Sequence, residues 1–141
     1  MTRDAVLSLL ERLRVAWNAH DVDALAALHA EHGVVISPTG GVLEGRAEIA
    51  RVYRLWFAAF PDAAWRTDDL VVDGTRAAVV AQLAGTHAGE FFGVPATGRH
   101  IHVQVAVLFT VADGFIVEER RIYDFTGFLV QVGVLKAKPT A

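Results

Sequence analysis

The sequence predicts an α+β domain in which a curved antiparallel sheet wraps around N-terminal helices. In the first 60 residues, apolar side chains recur at spacings of three and four, which is typical of amphipathic helices. From about residue 63 they alternate with polar side chains, which indicates strands joined by tight turns. Helices followed by a meander of strands pack as an α+β domain, with the helices against one face of the sheet.

The first half of the chain predicts three helices and one strand. A helix is expected at about residues 3–19, and Asp21 is a good N-cap for a short second helix, DVDALAALH. GVVIS then indicates a strand that ends at a proline and the TGG turn. The third helix, at about residues 46–60, ends before Pro61, because proline cannot continue a helix at that point.

The second half predicts four strands, at about residues 63–73, 75–88, 99–112 and 114–124. The tripeptides DGT and ADG mark tight turns, and the loop GEFFGVPATG joins the middle pair of strands. The final segment TGFLVQVG predicts a short helix. This order gives an antiparallel meander that the helices cover on one side.

The last two strands decide which side chains enter the interior. In RHIHVQVAVLFTV the odd-numbered positions from 101 to 111 are all apolar, whereas even-numbered positions carry two His, a Gln and a Thr, so the odd face is the buried one. A three-residue ADG loop with Gly114 in the left-handed conformation would set Val107 opposite Glu119. Glu119 and Arg121 would then point inward, whereas a two-residue loop would exchange the two faces.

Length and composition limit the classes of function. A chain of 141 residues suits one domain, residues 1–141, and its hydrophobic content of 53% favours an apolar cavity or a subunit interface. The net charge of −3 argues against a nucleic acid or an acidic membrane as partner. The absence of cysteine excludes disulfides and thiolate nucleophiles. Neither a signal peptide nor a membrane span is predicted, so a cytoplasmic location is expected.

Four motifs along the chain resemble one known family. They are WNAHDVDALAAL, GTHAGEFFGVPATGR, ADGFIVEE and DFTGFLVQVG, and the resemblance covers about residues 3–134. The sequence resembles the SnoaL-like polyketide cyclases of the nuclear transport factor 2-like superfamily. This resemblance implies a cone-shaped α+β barrel with an apolar pocket between sheet and helices. It also implies chemistry without metal or cofactor, and a homodimer formed through the outer face of the sheet.

The resemblance also bears on the catalytic residues. Characterised cyclases of this family are similar in closing a polyketide ring by an intramolecular aldol reaction, with an acid/base Asp on the last strand. Alignment through the ADG turn implies that this Asp position falls on Arg121. The polar partners on the adjoining strand fall on Val105 and Val107. His87 matches the family's His in the G-T-H-x-G motif, but the family's main acid/base is absent from this sequence.

The predicted catalytic residues are His87, Glu119, Arg121 and Tyr123. Glu119 and Arg121 are either a structural ion pair or a general base with an Arg that orients it or stabilises an oxyanion. A neighbouring Arg lowers the pKa of a carboxyl group, so Glu119 is a weak base unless a ligand alters the pair. His87 is either catalytic or orders the loop that follows it. Tyr123 either donates a hydrogen bond into the cavity or fills it.

The predicted ligand-binding residues are mostly apolar. Those on the helices lie at a spacing typical of core residues, and here they are also expected to line the pocket. The complete set is Trp17, Tyr53, Trp56, Phe60, Val105, Val107, Phe109 and Asp124. Asp124 has a second interpretation as the N-cap of the last helix. His100 and His102 share a strand face at a spacing that could bind a metal, but no third ligand is apparent, so no metal is predicted.

Two functions are compatible with these residues. The first is a cofactor-independent acid/base enzyme, of isomerase or lyase type, acting on a small apolar polyketide-like or ring-containing molecule. Cyclisation, isomerisation and hydration all fit, and opening of an epoxide by water is a hydrolytic variant. The second is a non-catalytic ligand-binding or dimerisation module, in which Arg121 holds an anionic headgroup. The expected partners are a small apolar molecule and a second copy of the chain.

Overall fold

A computed structural model describes residues 1–136, which form helices packed on one sheet. The helices are α1 (Arg3–Asn18), α2 (Val22–Ala27), α3 (Arg46–Ala59) and α4 (Phe125–Gln131). The strands are β1 (His29–Ser37), β2 (Gly41–Glu44), β3 (Ala64–Asp73), β4 (Arg76–Thr86), β5 (His100–Ala112) and β6 (Phe115–Tyr123). The predicted α+β class is confirmed, and the last five residues of the predicted domain lie outside the described residues.

The strand order in the sheet is β2-β1-β6-β5-β4-β3. The meander from β3 to β6 is antiparallel, as predicted. The pairing of β1 with β6 is parallel, so the sheet is not antiparallel throughout. The short strand β2, which the sequence did not predict, forms one edge and β3 forms the other. The sheet is therefore curved but open, and the barrel implied by the resemblance does not close.

Side-chain caps fix where the helices begin. Thr2 accepts a hydrogen bond from the amide of Ala5 at the start of α1, at 3.1 Å. Asp21 accepts a hydrogen bond from the amide of Ala24 at 3.0 Å and is the N-cap of α2, as the sequence predicted. Such caps satisfy amides that have no partner inside the helix and contribute about 1 kcal/mol each.

The core lies between the helices and the inward face of the sheet. Alternate residues of β4 and β5 are buried, and the apolar faces of α1, α2 and α3 pack over them. The largest fully buried apolar side chains are Phe60, Phe128, Leu9, Leu25, Ile49, Ile101 and Ile116. Each contributes about 1.5–3 kcal/mol by leaving water. This packing positions β5 and β6 against the helices.

The turn between β5 and β6 has two residues, and the prediction of a three-residue loop was wrong. Ala112 pairs with Phe115, so Asp113 and Gly114 alone form the turn. Both have positive φ angles, 52° and 86°. This conformation is that of a type I′ turn, which matches the twist of a hairpin and is common for Asp-Gly.

A two-residue turn would exchange the faces of β6, but a β-bulge reverses the exchange. The register shifts next to Val111, so that Val117 has no partner on β5. Beyond the bulge, Glu119 pairs with Phe109 and Arg121 pairs with Val107. The predicted partners on β5 were therefore wrong by two residues, one from the turn and one from the bulge, and a shift of two residues leaves each side chain on the predicted face. Glu119 and Arg121 therefore lie on the inward face, as predicted.

Candidate functional site

Glu119 and Arg121 form a buried ion pair that extends to α3. Arg121 Nε donates to Glu119 Oε2 at 2.5 Å, and Arg121 Nη2 donates to the hydroxyl of Tyr53 at 2.8 Å. The guanidinium carbon also lies 5.0 Å from the centre of the Tyr53 ring, within the range of a cation–π contact. Glu119 is 3% exposed and the Arg121 side chain 14%. Helix α3 therefore fixes the orientation of the guanidinium on the sheet.

His29 completes this network, and the sequence analysis missed it. The side chain is fully buried at the start of β1, with Nε2 3.2 Å from Glu119 Oε1 and Nδ1 2.8 Å from the carbonyl oxygen of Leu25. The sequence predicts His29 as the last residue of the second helix, but it is the first residue of β1. Its contact with β6 depends on the parallel pairing of β1 with β6, which no local spacing reveals.

The charges of the network are stabilised by one another. Burial alone would raise the pKa of Glu119, but the Arg121 charge and the His29 hydrogen bond outweigh it and hold that pKa well below its usual range. Burial would lower the pKa of Arg121, but Glu119 reverses this effect and raises it. Burial raises the pKa of the Tyr53 hydroxyl. At neutral pH the site therefore contains a carboxylate, a guanidinium and a neutral phenol.

Two adjoining cavities lie between the helices and the sheet. The larger, cavity 1, has a volume of about 120 Å³, and the smaller, cavity 2, about 40 Å³. Trp17, Tyr53, Trp65 and Arg121 line both cavities and divide them. Glu119 lines cavity 1. The ion pair therefore lies at the wall of an apolar space rather than in solid core.

Most of the predicted ligand-binding residues line these cavities. Val107 and Phe109 line cavity 1, and Trp56 and Val105 line cavity 2. Trp65, which the sequence analysis did not select, lines both. It lies on β3, where apolar and polar residues do not alternate regularly in AWRTDDLVVD, so the local pattern does not indicate which face Trp65 occupies.

Tyr123 lines cavity 2, and its hydroxyl hydrogen-bonds the Thr39 hydroxyl in the turn between β1 and β2. Burial raises the pKa of this phenol. Thr39 is not among the predicted site residues, because the turn that contains it lies next to β6 only through the pairing of β1 with β6. Tyr123 is thus a neutral hydrogen-bonding group beside the cavity, oriented by the β1–β2 turn.

His87 and Phe60 lie apart from the cavities. The His87 ring is fully buried and stacks on Phe60 at 5.5 Å between ring centres. Its Nδ1 lies 2.9 Å from the Thr97 hydroxyl, while Nε2 is buried with no hydrogen-bond partner among residues 1–136. The His87 amide donates to the Arg99 carbonyl oxygen, and its own carbonyl accepts from the Gly98 amide. All these bonds order the loop before β5, which is the second interpretation given to His87.

The glycine of the HAG segment has a packing role. A Cβ atom on Gly89 would lie 2.3 Å from the carbonyl oxygen of Ala58, which is closer than atoms approach. The Gly89 amide also donates to the carbonyl oxygen of Ala59 at 3.1 Å. This part of the motif therefore lets the loop after β4 pack against the end of α3.

Asp124 is exposed and accepts a hydrogen bond from the amide of Gly127 at 2.8 Å. It is the N-cap of α4, as its second interpretation predicted, and it does not line either cavity.

His100 and His102 are exposed on the outer face of the sheet. Among residues 1–136, no three or more His, Cys, Asp or Glu side chains are grouped so that they could hold a metal. The homodimer through that face stays a prediction.

Within residues 1–136, none of the helices is both long and apolar enough to cross a membrane.

Comparison with known proteins identifies the family. A family model described as SnoaL-like polyketide cyclase matches residues 8–132. The chain belongs to the SnoaL-like polyketide cyclase family. The resemblance of the four motifs is thereby confirmed, although no curated protein matches the sequence.

Solved structures confirm the nuclear transport factor 2-like fold of this SnoaL-like protein. IdmH from Streptomyces antibioticus, named as a candidate polyketide cyclase, is 31% identical over 89% of this chain and 96% of its own, with a TM-score of 0.75. TsrD from Streptomyces laurentii is 27% identical over 96% and 99%, with a TM-score of 0.84. A SnoaL-like protein from Jannaschia sp. CCS1 is 24% identical over 96% and 94%, with a TM-score of 0.85. The family and its neighbours support a cyclase- or isomerase-like role.

Proposed function

We propose that this SnoaL-like protein is a cofactor-independent acid/base enzyme that acts on a small apolar, ring-containing or polyketide-like molecule. The observation that carries this proposal is a nearly fully buried carboxylate, Glu119, at the wall of an apolar cavity beside Arg121. Burying a charged pair costs free energy that apolar residues of the same volume would not cost. A functional role explains why the charges are kept at this position.

The first step of the proposed reaction is removal of a proton. The substrate carbonyl oxygen accepts a hydrogen bond from Arg121, whose guanidinium lines both cavities. Glu119 takes the proton from the carbon next to that carbonyl. The electron pair of the broken C–H bond moves to the carbonyl oxygen and forms an enolate, which the positive charge of Arg121 stabilises.

The second step returns the proton. For cyclisation, the enolate carbon attacks a second carbonyl of the same molecule, and Glu119 gives its proton to the new alkoxide. For isomerisation, the substrate carries a C=C bond next to the carbon that loses the proton, so the enolate is a conjugated dienolate. Glu119 gives the proton to the far carbon of that former C=C bond, and the double bond moves into conjugation with the re-formed carbonyl. In both cases the protein ends in its starting state, so no oxidant, metal or cofactor takes part in the balance of atoms and electrons.

The low pKa of Glu119 limits its strength as a base in the absence of ligand. Negative charge developing on a substrate oxygen would engage the Arg121 guanidinium, which also holds Glu119. The carboxylate would then be less stabilised and would become a stronger base. In this proposal, substrate binding at Arg121 activates Glu119.

The cavity volume limits the substrate that fits without rearrangement. Cavity 1, at about 120 Å³, is close in size to an engineered cavity of about 150 Å³ that binds benzene. One six-membered ring therefore fits. A larger polyketide requires movement of the side chains that divide the cavities, Trp17, Tyr53 and Trp65.

Deuterium exchange tests the proposal without knowledge of the natural substrate. Single-ring ketones such as cyclohexanone are incubated with the protein in heavy water, and NMR measures exchange at the carbon next to the carbonyl. Wild type is expected to accelerate exchange. Glu119→Gln is expected to lower that acceleration by about 10²–10⁴-fold, because general base catalysis typically contributes this much.

The matched control is Glu118→Gln, the same change one residue earlier. Glu118 lies on the opposite face of β6, with a side chain 46% exposed beside Arg120. The Glu118→Gln variant should accelerate deuterium exchange of the ketone as much as wild type does. If Glu119→Gln keeps the wild-type rate, Glu119 is not the base and the proposal fails.

A non-catalytic binding module is the second candidate, and Arg121 is the observation that favours it. This residue stands where the resemblance places the family's acid/base Asp, and it reduces the basicity of Glu119. If ring ketones bind wild type but none is exchanged faster than in buffer, and Arg121→Ala weakens their binding, the binding module is the better description.

A further inference from the structure

The hydroxyl of Tyr53 on α3 is only half used by the hydrogen bonds of the protein. Arg121 Nη2 lies 2.8 Å from the Tyr53 oxygen. A guanidinium can only donate, so the phenol oxygen is the acceptor in this contact, and the hydrogen of the same hydroxyl is left for another atom. Among residues 1–136, no side chain or backbone carbonyl accepts that hydrogen.

The Tyr53 ring is held at the wall of the two cavities. Its side chain is buried and lines both of them. The ring stacks on Phe57 with 5.9 Å between ring centres, and the Arg121 guanidinium carbon lies 5.0 Å from its own centre. A buried hydroxyl hydrogen without an acceptor costs free energy, and an oxygen atom of a bound molecule removes that cost.

The surroundings of Tyr53 suit a hydrogen-bond donor. Burial raises the pKa of the Tyr53 phenol, and the nearby Glu119 charge acts in the same direction, so the hydroxyl keeps its proton at neutral pH. The hydrogen bond from Arg121 draws electron density from the phenol oxygen and polarises its O–H bond. The hydroxyl is therefore a strong donor that does not give up its proton.

We propose that the Tyr53 hydroxyl donates a hydrogen bond to the carbonyl oxygen of the substrate and is thereby a second catalytic residue beside Glu119. The catalytic part of this inference rests on the proposed function. When Glu119 takes the proton from carbon, the electron pair moves to the carbonyl oxygen, and the O–H bond of Tyr53 stays intact. A carbonyl oxygen has two lone pairs, so it accepts from Tyr53 and Arg121 together. Both bonds strengthen as negative charge develops on that oxygen.

Infrared spectroscopy of bound cyclohexanone tests the hydrogen bond without any turnover. The difference between spectra recorded with ¹²C and ¹³C at the carbonyl isolates the C=O band of the ketone from the bands of the protein. A hydrogen bond to the carbonyl oxygen lowers the C=O stretching frequency. The bound ketone is expected to absorb at a lower frequency in wild type than in Tyr53→Phe. Equal frequencies in the two proteins, or no band of bound ketone in wild type, would overturn the inference.

A second variant separates donation by Tyr53 from its effect on Arg121, because Tyr53→Phe also removes the acceptor of Arg121 Nη2. 3-Fluorotyrosine in place of Tyr53 keeps the phenol oxygen, makes its O–H more acidic and adds a single fluorine atom. The C=O frequency of the bound ketone should then be lower than in wild type. If fluorine leaves the frequency unchanged, Tyr53 only orients Arg121, and the inference is wrong.

Deuterium exchange measures what the hydrogen bond contributes to the rate. At saturating ketone, Tyr53→Phe is expected to lower the acceleration by about 10²–10³-fold, as loss of one donor to an oxyanion typically does. Urea unfolding shows whether the variant is folded. Exchange that depends on Glu119 but not on Tyr53 keeps the proposed function and overturns this inference. A C=O frequency that depends on Tyr53 in a protein that accelerates no exchange overturns the proposed function but keeps the hydrogen bond.

Discussion

The two buried histidines of this protein lie at opposite ends of the same interior. His29 contacts a carboxylate that is bound to a guanidinium, next to two cavities. His87 stacks on Phe60 within an aromatic cluster, with one ring nitrogen bonded to a loop hydroxyl. That cluster includes Phe91 and Phe128, and its rings contact one another with centres 5.3–6.0 Å apart.

Burial of a titratable group therefore does not by itself identify a site. At the His87 end, the aromatic rings fill the space between sheet and helices and leave the imidazole to order a loop. At the Glu119 end, the helices leave an apolar space, and the charged side chains face it. The two ends differ in how completely the surrounding side chains fill the space around the buried polar group. Substitutions at the two ends should therefore have different kinds of effect.

The largest effect on stability is expected from Glu119→Leu. This change leaves the Arg121 guanidinium buried without its carboxylate, and removal of one member of a buried pair typically costs about 3–5 kcal/mol. The free energy of unfolding, measured with urea at neutral pH, should fall by that amount.

The double variant Glu119→Leu/Arg121→Leu is the control for this prediction. It removes both charges and fills the volume with apolar atoms, so it should recover most of the lost stability. A double variant no more stable than Glu119→Leu would show that the loss comes from altered packing and not from the unpaired charge.

A smaller effect is expected from pH. The pKa of Glu119 is lower in the folded protein than its ordinary value of 4.5. Its contribution is therefore complete above pH 4.5 and is lost as the pH falls through the folded pKa. Urea unfolding of wild type and of Glu119→Gln should therefore differ less and less as the pH falls below 4.5. A difference that stays constant with pH would mean that Glu119 has an ordinary pKa.

Local pattern was sufficient to predict all of the helices and strands except β2. Helix and strand bounds follow from the period of the apolar residues, and the caps Asp21 and Asp124 follow from their positions before helices. The short strand β2 and the parallel pairing of β1 with β6 were not predictable in this way, because they depend on contacts between distant segments.

The candidate site depends even more on contacts between segments that are distant in the sequence. Glu119 and Arg121 were identified because charges at alternate positions of an apolar strand are unusual, although the predicted turn was wrong and a bulge corrected the result. His29 was missed because its partner lies 90 residues away in the sequence. His87 was selected from a motif, and a motif indicates that a residue type is needed but not whether it is needed for packing or for chemistry.

The smallest effect is expected from His87→Phe, and it tests whether the two ends differ as proposed. Phenylalanine keeps the ring against Phe60, removes the buried Nε2 that has no partner among residues 1–136, and loses the hydrogen bond to Thr97. Removal of an unsatisfied polar atom and loss of one hydrogen bond oppose each other. The free energy of unfolding should therefore change by no more than about 1 kcal/mol. Deuterium exchange should equal that of wild type, because His87 lines neither cavity. If His87→Phe lost exchange activity while remaining folded, the chemistry would extend to the aromatic end, and the distinction between the two histidines would be wrong.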